Sequence, residues 1–263
     1  MNPEPPMAPG WSVVTGANRG IGLEFTRQLL MRSGSVAACC RKPAEAEALH
    51  VLKNQYNERL ALLPLDLSSE ESIRGCAAEV GELPGGVSLL LHNAGMFARG
   101  EAEMESFAPE EMRRVFETNL VGPLTLTREL HAAIARGGKV FFLTSRTGAL
   151  RRLAGEPSAE GQFSYPCSKA AVHRSVPVLA GKLFADGIVV GGIDPGWVRT
   201  DMTSGAERGD RFLLEPAESV AGMLTVMDRA GPATSGTLWR WNGEVSRWYA
   251  PEETAAERQE VTE

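Results

Sequence analysis

Tyr165 and Lys169 stand four residues apart in "SYPCSK" (164–169), so on a helix both side chains leave from one face. A phenol with a reference pKa near 10 is almost wholly protonated at neutral pH, and a neighbouring ammonium favours its phenolate. A tyrosine so placed can pass a proton to or from a carbonyl or alcohol oxygen. The same spacing also suits an idle surface pair, so the chemistry needs companions. Ser145 closes the apolar run "KVFFLTS" (139–145), where its hydroxyl can reach a substrate oxygen or cap the next turn. Asn93 closes "VSLLLHN" (87–93) at the same kind of position, either in a cleft or as a turn residue. Asn119, in "FETNLVGP", falls within a helical stretch, an unfavourable place for asparagine unless its amide is used.

A second constellation lies near the start. "VVTGANRGIGLEF" (13–25) carries three glycines between a β-branched run and an apolar helical pattern. Gly16 lets the turn tighten, Gly20 lets a phosphate approach the backbone, and Gly22 lets the helix close on the sheet. The helix N-terminus adds unpaired N–H groups and the positive end of its dipole. About 20 residues on, folds that bind NAD usually place a carboxylate for the ribose 2′-hydroxyl. Here that place reads "CCRKP" (39–43). Arg41 and Lys42, with Arg19 from the glycine turn, suit a 2′-phosphate, and no carboxylate is placed to repel it. NADP is therefore the expected cofactor, with NADPH preferred over NADH.

The elements that must position these groups alternate along the chain. Strand-like runs begin at "WSVVT" (11–15), "SVAACC" (35–40), "LALLPL" (60–65), "VSLLLHNAG" (87–95), "KVFFLTS", "GIVVGGIDPG" (187–196) and "GTLWRWNG" (236–243). Helical patterns fall between them: Ile21 to Arg32, Pro43 to Tyr56, a segment opened by a capping box of Ser68 and Glu71, Pro109 to Arg136, Tyr165 to Ala185, and Pro216 to Arg229. Short apolar strands between helices predict a parallel sheet covered on both faces. The expectation is one doubly wound α/β domain of the Rossmann type over 11–249, with a mostly parallel seven-stranded sheet. Residues 1–10 read as a flexible leader and 250–263 as a polar acidic tail, expected to be disordered.

Composition narrows the classes. A formal net charge of -6 and the lack of a basic block argue against nucleic acid as a partner. No apolar run approaches the roughly 20 residues of a membrane span, and the leader lacks the apolar core of a signal peptide, so a cytoplasmic protein is expected. Four cysteines (Cys39, Cys40, Cys76, Cys167) show no metal-ligand spacing and read as small buried thiols; no metal is expected. His92 reads as strand-end packing. A serine hydrolase would need a G-x-S-x-G elbow, which the chain lacks.

Taken together the motifs resemble the short-chain dehydrogenase/reductase family. "TGANRGIG", "DLS" at 66–68, "NAG" at 93–95, Asn119, Ser145, "YPCSK" and "PGWVRT" at 195–200 fall in the family's order. "DPGWVRTDM", "SGTLWRWNG" and Trp248 further resemble its C-factor-like and sniffer-type carbonyl reductase branch. The resemblance implies that Tyr165 is the acid/base and that Lys169 lowers its pKa and holds the nicotinamide ribose. It implies that Ser145 orients the substrate oxygen and that Asn119 holds a proton-relay water. Cofactor contacts are implied for Asn18 and Ile21 beside Gly16, Arg19, Gly20 and Gly22, and for Asp66 (adenine) with Leu67. The cleft is implied to be lined by Asn93, Ala94 and Gly95, and the nicotinamide amide held by Pro195, Gly196, Val198 and Thr200.

The implied activity is interconversion of a small-molecule carbonyl and alcohol with NADP(H). C-factor-like relatives imply an alternative, a cofactor-binding signalling or regulatory protein with little turnover. The family's usual dimer faces fall on 109–136 and 165–185, so a homodimer is expected, although Val172, Val176, Leu179 and Leu183 would also suit a core. Two departures stand out. Asp194 occupies a position where histidine or asparagine is commoner, and Ser145 and Tyr165 are unusually far apart, so 146–164 is expected to loop over the site.

Overall fold

The computed structural model describes residues 10–98, 100, 104–149, 163–203 and 213–246. The leader up to residue 9, the tail with Trp248, and most of the 146–164 insert lie outside them. Seven strands form one sheet in the order β3-β2-β1-β4-β5-β6-β7, and every neighbouring pair runs parallel. They are β1 (Trp11–Thr15), β2 (Ser35–Cys40), β3 (Leu60–Pro64), β4 (Val87–His92), β5 (Ile134–Leu143), β6 (Val189–Asp194) and β7 (Leu238–Arg240). The helices are α1 (Gly20–Met31), α2 (Glu47–Tyr56), α3 (Glu70–Gly81), α4 (Pro109–Phe116), α5 (Gly122–Leu130), α6 (Ser164–Leu183) and α7 (Pro216–Arg229).

Because each strand is buried on both sides, its residues divide between two cores. Val13, Leu90, Val140 and Val190 face the helices that supply Ile73, Leu126 and Val176. Val14, Leu91, Phe141 and Ile193 face Phe25, Leu49 and Met223. Chain order reverses at β1 and β4, which leaves a crevice at their carboxyl ends, where doubly wound folds bind ligands. Among the described residues no helix is long and apolar enough to cross a membrane.

Three local expectations are corrected. The cap of α3 is Ser69, whose side chain accepts from Ser72 N, while Ser68 turns back to Asp66. The long helix ends at Leu130, and Arg136 already belongs to β5, because Gly137 at φ 83° is left-handed backbone through which no α-helix continues and the apolar run after it favours extended chain. Cys167 is exposed, unlike the three buried cysteines, since it leaves α6 on the far side from Lys169. Val172, Val176 and Leu183 lie in the core, one of the two readings their spacing allowed.

Candidate active site

The glycine turn is held by its neighbours as much as by itself. Gly16 (φ 65°) and Gly20 (φ 53°) adopt left-handed backbone that other residues rarely take. Gly22 has a different reason: a Cβ there would lie within 3.0 Å of Gly16 O and Asn93 Nδ2. That space is needed because Asn93 donates to Thr15 O (2.8 Å) and Gly16 O (3.1 Å), tying β4 to the turn. Thr15 completes the tie, its hydroxyl accepting from Asn93 N (3.1 Å) and Ala94 N (3.0 Å). Sequence reasoning missed Thr15; a buried polar residue ending an apolar strand was the available signal. Asn93 thus builds the turn that borders the cleft.

These features fit a dinucleotide. The cap residue of α1, Arg19, makes no side-chain cap hydrogen bond, and the first turn carries no acidic residue. A pyrophosphate would find open N–H groups and no competing carboxylate in that turn. Thr200 lies over Gly20, its methyl 3.4 Å from where a Cβ would stand, and Arg19 pairs with Asp201 at 2.9 Å. The segment from Pro195 is fixed by Ser219, which donates to Pro195 O, and by a bridge between Val198 and Leu214.

The cations at the end of β2 are less isolated than their sequence suggests. Arg41 is exposed, and Lys42 pairs with Glu45 at 2.9 Å. The turn after β2 folds Glu45 back onto Lys42, a pairing the spacing did not announce. Asp66 is close enough for the Arg41 charge to act on it. The Ser68 hydroxyl, supported by the Ser68 amide and Arg41, holds the Asp66 carboxyl below its usual range.

The candidate reactive groups meet at the carboxyl edge of the sheet, above β5. Tyr165 and Lys169 lie one turn apart on α6, with Lys169 Nζ 5.5 Å from the Tyr165 ring centroid. Lys169 is buried and donates to Leu143 O at 2.8 Å. Burial pushes its ammonium down to about 8, against the attraction of Asp194. Burial likewise pushes the Tyr165 hydroxyl up to about 12, opposed by a hydrogen bond with Ser145 and reinforced by the Asp194 charge. Ser145 shares a 2.9 Å hydrogen bond with Thr147. The turn after it packs so tightly on α6 that a Cβ at Gly148 would strike Lys169 and Ala170.

Asn119 repays its unfavourable position. Glu117–Val121 forms a π-helical turn between α4 and α5, an arrangement common at functional sites. The Asn119 amide donates to Met96 O (2.9 Å) and Ser168 Oγ (3.0 Å) and accepts from Met96 N (2.6 Å). It therefore clamps the chain after β4 to the helix that carries Tyr165 and Lys169. Ser168, at the centre of that clamp, was missed by sequence reasoning, as was Phe97, which meets the Tyr165 ring edge-on at 5.7 Å. His92 packs on Phe142 and hydrogen-bonds Thr127, a structural role.

Comparison with known proteins agrees with this geometry. The sequence profile of the short chain dehydrogenase family matches residues 11–210. A 1-hydroxy-2-glutathionyl-2-methyl-3-butene dehydrogenase of Rhodococcus is 30% identical, covering 90% of this chain and 98% of its own. The C-signal protein of Myxococcus xanthus is 32% identical over 62% of this chain and 94% of its own. The NADPH-bound carbonyl reductase from chicken fatty liver superposes with a TM-score of 0.83 at 31% identity, covering 92% of this chain and 100% of that one. A profile match over most of the chain, on a parallel sheet with the reactive groups at its carboxyl edge, means that this protein belongs to the short-chain dehydrogenase/reductase family.

Proposed function

We propose that the protein is an NADP(H)-dependent carbonyl reductase whose proton donor is Tyr165. The observation that carries this reading is the convergence of Tyr165, Ser145 and buried Lys169 beside the glycine turn and its crevice. When bound, the nicotinamide supplies a hydride to the carbonyl carbon or takes one from the alcohol. The Ser145 hydroxyl orients the substrate oxygen. Tyr165 gives its proton to that oxygen as the hydroxyl forms and takes it back in the reverse direction. Lys169 holds the ribose and stabilises the phenolate left behind, while Asn119 keeps α6 and the chain after β4 in register. Gly16, Gly20 and Gly22 would receive the pyrophosphate, and Asp66 the adenine. Arg19 and Arg41 would receive the 2′-phosphate, Arg19 by exchanging its exposed Asp201 partner for it. The NADPH bound to the chicken carbonyl reductase supports that cofactor.

A panel of aldehydes, ketones and quinones with NADPH, read by absorbance loss, tests the activity. With an active substrate in hand, Tyr165→Phe is expected to keep NADPH binding and cut turnover roughly 10²–10⁴-fold. Wild-type turnover in that variant would overturn the mechanism. The likeness to C-signal keeps a signalling role as the second reading, and absence of turnover across the panel would favour it.

A further inference from the structure

The mechanism leaves a buried carboxylate unused. Asp194 ends β6 and is 3% exposed, in a position that costs free energy unless its charge is compensated. Strand alternation fixes where its side chain goes. Val190 belongs to the core beneath α6, and a Cβ at Gly192 would meet Val176 of α6 at 3.3 Å and the Thr144 methyl. Asp194 follows two residues later on that same face. Because α6 returns antiparallel to the strands, the residues beyond Val176 toward its N-terminus are His173, Lys169 and Tyr165. The register agrees: Leu143, whose carbonyl holds Lys169 Nζ, pairs with Ile193, the neighbour of Asp194. The carboxylate is steadied by Gly196 N, which donates to Oδ1 at 3.2 Å.

We propose that Asp194 is a positioning residue for the Tyr165–Lys169 pair, a buried counter-charge that favours the protonated form of both side chains. It acts on Lys169 by attraction, against burial, and on Tyr165 by opposing a second negative charge beside it. The two effects have one sense: each keeps a proton on. Tyr165 thereby stays a proton donor while Lys169 stays a cation. Among the described residues, two further ionisable groups beside this cluster do not duplicate the effect. His173 is driven neutral by burial and by the Lys169 charge, down to about 4. Arg240, opposite Asp194 on β7, directs its guanidinium to Glu244 at 3.0 Å.

The inference rests on the reading of Tyr165 as proton donor, and its test separates the two. Asp194→Asn keeps an oxygen for Gly196 N and removes the charge; Asp194→Ser is the second variant should the first fail to fold. Carbon-13 NMR of ring-labelled tyrosine, with the Tyr165 signal assigned from Tyr165→Phe, follows ionisation from pH 8 to 11 without any turnover. The expected result is a roughly tenfold larger Tyr165 phenolate fraction at pH 10 in the variants, about one pH unit. The alkaline limb of carbonyl reduction is expected to move to lower pH by the same amount. Superimposable Tyr165 titrations in wild type and a folded variant would overturn the proposal. Full activity in Tyr165→Phe would instead remove the proton-donor reading and leave the NMR result to decide Asp194.

Discussion

Replacing Gly22 with alanine adds one methyl group to the most crowded point of the glycine turn. That methyl would overlap Gly16 O and Asn93 Nδ2, both within 3.0 Å of its position. Neither neighbour is the free end of a flexible chain. Gly16 O is backbone, and the Asn93 amide is pinned between Thr15 O and Gly16 O. Overpacking a rigid site costs about 1–3 kcal/mol, and displacing the amide forfeits two hydrogen bonds of about 1 kcal/mol each. The total is roughly 3–5 kcal/mol, to be read from urea unfolding. Gly20→Ala is the internal control. Its φ of 53° costs an alanine about 1–2 kcal/mol, but its Cβ would only touch the Thr200 methyl at 3.4 Å. Gly22→Ala should therefore be the less stable of the two. A Gly22→Ala protein within 1 kcal/mol of wild type, or more stable than Gly20→Ala, would refute this account of the turn.

Arg41→Asp is expected to weaken NADPH binding roughly 10- to 100-fold and leave NADH binding little changed, since one charge-assisted contact is exchanged for repulsion. Dissociation constants for both nucleotides decide it, and tighter NADH binding by the wild type would sink the assignment. Stability should fall in acid. Burial holds His92 down to about 3 and His173 down to about 4, so between those values and the ordinary 6.5 the unfolded chain binds more protons than the folded one. Stability is thus full above pH 6.5 and declines below it, by about 2 kcal/mol per histidine at pH 5. Denaturation at pH 7 and pH 5, repeated with His92→Asn, measures the share that belongs to His92; an unchanged pH dependence would contradict its buried neutral state.

What could be read from sequence was whatever depends on the neighbours along the chain. Strand and helix order followed from apolar period, and Tyr165 and Lys169 share a face because a helix makes four-residue neighbours adjacent. Gly16 and Gly20 were legible as turn residues because backbone conformation is a local property. What failed was set by approach in three dimensions. The reach of Glu45 to Lys42 depends on how the turn after β2 folds, and the Ser69 cap on which serine faces Ser72. Ser168 and Phe97 do their work through partners far away in sequence, so their types alone carried no warning, whereas a polar residue ending an apolar strand hinted at Thr15. Asn119 lay between these extremes. Its oddness within a helix announced a use, but not that the use would be a clamp on Met96.

The extra residue in the π-helical turn has a consequence for how this stretch of chain can change. Each residue advances a helix by about 100°. Val115 before the turn and Leu126 after it are both fully buried, so the phase of each flank is fixed by its own packing. Glu117–Val121 absorbs the offset between the two. Straightening the turn with all its residues kept would rotate one flank by that angle, driving either an apolar face into water or a charged one into the core, whereas deleting one residue there restores a regular helix with both flanks in phase. The stretch can therefore lose one residue without re-phasing its flanks but cannot easily gain another, although nothing in its composition marks it as such. Substitutions at exposed Val121 cost little, and a single-codon deletion beside it is predicted to keep the packing of both flanks, whereas a single-codon insertion is predicted to disrupt it.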